Sequence, residues 1–205
     1  MKNIYIIRHG ETELNRLGIV QGRGVDTDLN EKGQGQARAF FHHYRNVPFD
    51  KIYTSALKRT QQTVDNFISQ SIPYEQLSEF DEMNWGKHEG QSVSPNLTVE
   101  FNALLNGWRE GKLNHKTEGG ESPLEVQVRL KQGIDRIINN THEKNVLLCT
   151  HGRTLRILMC TITNTHLSQM DTFGHENTAL YLLQYDQQRF KVIKSCNLDH
   201  LKDGF

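Results

Sequence analysis

Two histidines in this chain stand in the same local pattern. His9 follows Ile4-Tyr5-Ile6-Ile7-Arg8 and precedes Gly10, and His151 follows Val146-Leu147-Leu148-Cys149-Thr150 and precedes Gly152-Arg153. An imidazole can act as a nucleophile, a proton carrier or a metal ligand, and a neighbouring guanidinium binds oxyanions through a planar set of donors. A third apolar pair, Ile52-Tyr53, ends in Thr54-Ser55, with Arg59 shortly after. Brought to one point, with helix N-termini aimed at it, the imidazoles of His9 and His151 and the guanidiniums of Arg8 and Arg59 suit a phosphate dianion. A metal centre fits less well. His9 and His151 lack a third ligand at recognisable spacing, and the arginines beside them would repel a cation.

For these groups to meet, three strands must end side by side. The uninterrupted run Ile4–Ile7, closed by Gly10, predicts a buried strand of a parallel sheet, and in open α/β sheets ligands bind at the carboxyl edge. Lys51 to Thr54 predicts a second strand, with Ser55 as the N-cap of a helix that carries Arg59 in its first turn and ends before Pro73. The run ending at Thr150 predicts a third. Between them, Asn30 caps a helix to about Arg45 whose apolar face is Ala37, Phe40, Phe41 and Tyr44, although Gly33 and Gly35 weaken its first turn. Tyr74 to Leu77 is a short strand candidate, and Leu97, Phe101, Leu104 and Leu105 predict a helix from Asn96 to Trp108. Ser122-Pro123-Leu124-Glu125 is a capping box opening a long helix to about Asn140. Gly152 opens another, with Leu155, Leu158, Met159 and Ile162, and Thr178–Tyr185 with Arg189–Ser195 form a terminal hairpin. Two stretches read as loops: Asn15 to Asp28, draped over the first strand's end, and Phe80 to Gly90, on the surface and folded back.

At 205 residues the chain fits a single domain, residues 1–205, with a core large enough to need neither disulfides nor metals. Lys plus Arg and Asp plus Glu number 24 each, so the formal charge is zero, and no basic excess points to nucleic acid or a membrane surface. Cys149, Cys160 and Cys196 show no metal or redox spacing and read as buried reduced thiols. The short apolar run before Arg8 is no signal peptide, and no stretch of about 18 apolar residues occurs, so a cytoplasmic protein is expected.

Arg8-His9-Gly10-Glu11-Thr12 with Asn15 resembles the Arg-His-Gly signature of the histidine phosphatase superfamily, in its phosphoglycerate-mutase-like branch. The resemblance runs along nearly the whole chain: Gln21-Gly22, Asp28 to Gly33 with Gln36-Ala37, Thr54 to Thr63, Glu82 upstream of Gly86 and Glu89-Gly90, Gly119-Gly120-Glu121-Ser122, and Thr150-His151-Gly152. It implies an α/β fold, a three-layer α-β-α sandwich with a mostly parallel central sheet, and a metal-independent, cofactor-free phosphoric monoester hydrolase. It places the proton donor at Glu82, gives His151 a donor role toward the phosphoryl oxygens, gives Asn15 phosphate binding, and lines the pocket with backbone around Gln21, Gly22 and Gly152.

On this reading His9 attacks phosphorus as a neutral imidazole and water hydrolyses the phosphohistidine. Arg8 and Arg59 disfavour the imidazolium and neutralise the equatorial oxygens, while Glu82 protonates the leaving alkoxide and then takes a proton from water. Glu11 and Glu89 read as structural. The expected partner is a small phosphorylated metabolite, with no nucleic acid and no membrane, in a monomer or a homodimer. Phosphoryl transfer of the phosphoglycerate mutase type is the alternative, and a non-catalytic phosphate-ester binding module is a further one. The resembling mutases carry a longer insertion after the acid loop and an adjacent arginine pair. This chain offers only single cations there, Arg109 and Lys112, with Arg16, Arg23 and Lys87 as further candidates for specificity.

Overall fold

The computed structural model describes residues 1–92 and 94–202; residue 93 and residues 203–205, the last part of the expected single domain, lie outside them. Six strands form one sheet: β1 (Lys2–Arg8), β2 (Lys51–Thr54), β3 (Tyr74–Gln76), β4 (Asn145–Thr150), β5 (Leu180–Tyr185) and β6 (Phe190–Asn197). Their order is β3-β2-β4-β1-β5-β6, with β3, β2, β4 and β1 mutually parallel and β5 and β6 antiparallel. Arg8 stands opposite Thr150 and Thr54 opposite Cys149, so the residues that follow β1, β2 and β4 emerge together at one edge, as the sequence predicts.

Strand alternation divides the core into two layers. Ile4, Ile6, Val146 and Leu148 face one side, under α5 (Pro123–Asn139) and α6 (Gly152–Thr163). Ile7, Ile52, Leu147 and Cys149 face the other, under α2 (Glu31–Tyr44) and α3 (Lys58–Ile68), where Phe40, Val64 and Phe67 pack. Burying such a side chain contributes about 1.5–3 kcal/mol, so the sheet between its two helical layers is a rigid mount for whatever projects from its edge. The expected three-layer α-β-α arrangement is therefore observed.

The helix predicted from Asn96 to Trp108 is α4 (Pro95–Arg109), and the helix ends follow the sequence at most points. The Asn30 side chain accepts from Gly33 N at 2.8 Å, and Ser122 with Glu125 closes the predicted capping box. Gly33 has a positive use in α2. A Cβ there would lie 2.0 Å from the Glu11 carbonyl oxygen, so the glycine lets the backbone beyond His9 cross the helix closely.

Three expectations need correction. The N-cap of α3 is Leu57, not Ser55, and it makes no side-chain cap; the Ser55 hydroxyl instead accepts from Leu57 N at 3.1 Å and faces His151. Arg59 remains in the first turn. The loop predicted from Asn15 begins two residues late, at Leu17, because Thr12 and Asn15 form a capping box around the short α1 (Glu13–Arg16). The stretch from Phe80 to Trp85 is not a surface loop: Phe80 and Met83 are fully buried, as are nearly all of Asp81, Glu82 and Trp85. Its aromatic side chains join the core, and Arg129 of α5 holds the backbone by donating to the carbonyls of Glu79, Asp81 and Glu82 at 2.7, 2.9 and 3.3 Å.

Candidate active site

His9 is the first residue past β1, and its own N–H donates to Thr150 O at 2.9 Å, extending the ladder one step beyond the strand. Its Nδ1 lies 2.7 Å from Gly10 O. A carbonyl only accepts, so Nδ1 carries the hydrogen and Nε2 keeps its lone pair. Burial, with Arg59 and Arg8 close by, holds the imidazole well below the ordinary histidine pKa, which keeps it neutral. The bond to Gly10 O opposes this shift as the last of its causes.

Beneath it lies a buried chain of hydrogen bonds. Arg59, with no exposed surface, donates through Nη1 to Val25 O at 2.7 Å and through Nε to His151 Nδ1 at 3.2 Å. A guanidinium can only donate. His151 Nδ1 is therefore the acceptor, and its Nε2–H points to Ser55 Oγ at 2.7 Å. The rings of His9 and His151 are 5.1 Å apart. Burial, then Arg59, His9 and Arg8, push the His151 pKa far down, in agreement with that tautomer. The expected donor hydrogen of His151 thus goes to Ser55 in this arrangement, not into the cleft. Arg8, whose Nη1 donates to His175 O at 2.6 Å, leaves Nε buried without a partner among the described residues; burial lowers its pKa to about 10, which leaves it charged at neutral pH.

Glu82 sits at the N-terminus of α6. Its Oε1 accepts from Met83 N at 2.9 Å, Thr154 N at 3.0 Å and Thr154 Oγ1 at 3.0 Å, whereas among the described residues Oε2 accepts only from Arg153 N at 3.1 Å. Peptide donors at a helix start hold a carboxylate in a fixed orientation. Oε2, with one donor, is the oxygen with room for a proton.

A cleft of about 270 Å³ opens over these groups. Arg8, His9, Asn15, Gln21, Glu82 and Gly152 line it, and Ile19, Val20, Trp85 and Phe101 form an apolar wall. Asn15 spends Oδ1 on Thr12 N, at 3.3 Å, and on Asn177. Its amide nitrogen donates to nothing among the described residues. Both polar atoms of Gln21 are engaged, with Thr12 and Thr27 at 2.6 Å each. Gly22 does not line the cleft: it packs behind, where a Cβ would lie 1.7 Å from Glu89 Oε1, and its carbonyl accepts from Arg59. Glu89 braces this crossing by accepting from Gly24 N and Trp85 N at 2.9 Å each, and Glu11 accepts from Asn30 and Lys32; both are structural, as expected.

Residues 4–198 match the histidine phosphatase superfamily (branch 1). The chain belongs to that superfamily. Phosphoserine phosphatase 1 of Hydrogenobacter thermophilus is 26% identical to it over 205 residues, covering 97% of this chain and 95% of the relative. A broad-specificity phosphatase of Saccharomyces cerevisiae is 29% identical over 214 residues, covering 98% and 88%. Among solved structures, YhfR of Bacillus stearothermophilus is similar with a TM-score of 0.87 at 25% identity, covering 98% of this chain and 99% of that one.

Three residues that line or close the site of this histidine phosphatase superfamily member carry no role in the sequence reading. Arg153 borders the cleft beside Glu82, and His175 borders it beside Gly152. Asn177 donates to His9 O at 2.9 Å and reaches Asn15. His175 is lowered to about 4 by burial and the nearby Arg8, Arg156 and Arg153. The cations singled out for specificity are instead paired with acids: Arg16 with Glu13, Arg23 with Asp81 at 3.0 Å, Lys87 with Glu100 at 3.2 Å, Arg109 with Asp171 at 2.8 Å and Lys112 with Glu110 at 2.7 Å. Among the described residues no group of His, Cys, Asp or Glu could hold a metal, and no helix is long and apolar enough to cross a membrane.

Proposed function

We propose that the protein is a metal-independent phosphatase that hydrolyses phosphate monoesters of small metabolites through a phosphohistidine on His9, and that it works as one domain. The carrying observation is the Nδ1–Gly10 O bond, which leaves the Nε2 lone pair of a neutral His9 beside two guanidiniums at the sheet edge. Nε2 bonds to phosphorus as the ester P–O bond breaks, and Glu82 Oε2 gives its proton to the departing alkoxide oxygen. Water then attacks phosphorus, its proton returns to Glu82, and the N–P bond breaks to release inorganic phosphate and neutral His9.

Arg8 and Arg59 offset the charge on the equatorial oxygens, and the free amide of Asn15 adds a donor. His151 supports the phosphoryl group by fixing Arg59 through Nδ1. A direct donor role requires a proton on that atom, which a bound dianion would favour. The phosphatase names of the relatives support the hydrolytic reading. The test is rapid acid and alkaline quench during turnover of a labelled phosphate ester. A phosphoenzyme stable in alkali and labile in acid, lost in His9→Ala together with activity, is expected; turnover in His9→Ala at the wild-type rate would overturn it.

A further inference from the structure

We infer that Arg153 reads a second anionic group on the substrate, so that the preferred esters are small phosphorylated acids or bisphosphates and not esters with a neutral tail. This rests on the phosphatase reading above and deepens it. The peptide N–H of Arg153 donates to Oε2 of Glu82 at 3.1 Å. If Glu82 protonates the ester oxygen, whatever lies beyond that oxygen enters the part of the cleft that Arg153 borders.

The side chain is built to be rigid there. It is 8% exposed, and its guanidinium carbon lies 5.8 Å from the ring centre of Trp85 and 5.5 Å from that of Trp108. Two indole rings within cation–π range restrain the guanidinium and limit the directions its donors can take. Nη1 donates to Asp171 Oδ1 at 2.7 Å. Nε and Nη2 make no hydrogen bond among the described residues, and neither is a sealed, partnerless buried atom.

The charge balance points the same way. Asp171 is shared by three guanidiniums, since Arg156 donates to it at 3.0 Å and Arg109 at 2.8 Å. One carboxylate cannot offset three cations. Glu176, which acts on Arg156 after Asp171 and on Arg8 after Glu82, is turned to the Cys196 thiol, which lies 2.7 Å from its Oε2. A nearly buried cation whose partner is oversubscribed gains most from an anion that arrives with the substrate, and a planar fork matches either a carboxylate or a phosphate.

A matched pair of esters tests this on the full chain. Glycerol 3-phosphate and 3-phosphoglycerate differ only in a hydroxymethyl group against a carboxylate, fructose 1,6-bisphosphate brings a second phosphate, and nitrophenyl phosphate serves as an ester with neither. Arg153→Met keeps the stem on the two indoles and removes the donors, and Arg153→Lys keeps the charge. Wild type should favour 3-phosphoglycerate over glycerol 3-phosphate. Arg153→Met should raise KM for 3-phosphoglycerate by about tenfold or more, with a change several times smaller on glycerol 3-phosphate, and Arg153→Lys should fall between. The same loss on the bisphosphate would extend the class to any second anion; its absence there would narrow the class to carboxylates. Equal losses on the matched pair, or no wild-type preference between them, would overturn the assignment while leaving the phosphatase reading intact. Failure of wild type to hydrolyse any of the four, nitrophenyl phosphate included, would instead overturn the phosphatase reading itself.

Discussion

Nε of Arg59 donates to Nδ1 of His151 across 3.2 Å, and neither side chain has exposed surface. The guanidinium fixes the tautomer of His151, and its charge reaches His9 as the largest electrostatic contribution after burial. Arg59→Met should therefore do two things. It should lower kcat/KM on the order of a hundredfold or more, because transition-state charge loses a buried donor. It should also move the acid limb of the kcat/KM profile upward, since removing a nearby cation makes His9 easier to protonate and the neutral form is the nucleophile. A pH profile of both proteins measures this. An unmoved limb would mean that Arg59 does not set the protonation of His9.

Glu82 offers a separate readout through the leaving group. An alkoxide needs a proton to depart, whereas a nitrophenolate leaves with little help. Glu82→Gln keeps an acceptor for the Thr154 and Met83 donors but cannot release a proton. Its loss should be about a hundredfold or more on an alkyl phosphate and far smaller on nitrophenyl phosphate. Equal losses on the two esters would remove Glu82 from the acid role.

Turnover should survive exhaustive chelation. On the proposed mechanism Arg8 and Arg59 take the place of the divalent ion that offsets phosphoryl charge in other phosphatases. Activity lost on chelation and restored by added metal would contradict this.

Acid should destabilise the fold before carboxylates titrate. His200 packs edge-to-face with Phe40 and bonds Thr178 Oγ1 at 2.9 Å, and burial with the nearby His43 lowers its pKa from 6.5 to about 4. His9 and His151 shift in the same direction. Above the unfolded histidine pKa neither state binds these protons, so the stabilisation is complete. As pH falls below about 6.5 the unfolded chain takes up protons that the folded one refuses, and stability declines toward the folded values. Urea midpoints measured from pH 7 to pH 4.5 should fall steadily; a flat series would show that these histidines are not held neutral in the fold.

What the sequence made legible were groups whose placement depends on one strand and the residues next to it. His9 and His151 were found because each ends an apolar run before a glycine, and parallel strands need no further information to bring such ends together. The burial of Glu82 was hidden because it depends on Arg129 reaching the loop from α5, and on Thr154 of α6. Arg153 stood in view beside Gly152. Its meaning needed the two tryptophans, which come from another part of the chain. His175 and Asn177 reach the site only because β5 runs antiparallel to β1, which returns the residues before Leu180 to the His9 end. Arg109 read as a lone cation because Asp171 is far from it in sequence.

Water, and not a second substrate hydroxyl, should be the acceptor of the phosphoryl group. A mutase must keep its phosphohistidine from water until the second hydroxyl is in place, which calls for a covering segment. Here the cleft of about 270 Å³ is bordered by the short turn of α1, by Trp85 and by Phe101. The Trp85–Glu89 turn is closed by Glu89, which accepts from Trp85 N at 2.9 Å and ties the turn to the segment before Val25 by accepting from Gly24 N at 2.9 Å. Arg153 gives such a site a way to hold phosphoglycerate without making it a mutase, because binding the carboxylate orients the ester and does nothing to exclude water. Incubation with 3-phosphoglycerate, with and without its bisphosphate, while free phosphate and 2-phosphoglycerate are both followed, separates the outcomes. Phosphate release should exceed isomerisation by at least about tenfold, since water competes from within the open cleft. Fast isomerisation with little phosphate released would show that a hydroxyl, and not water, reaches the phosphohistidine first.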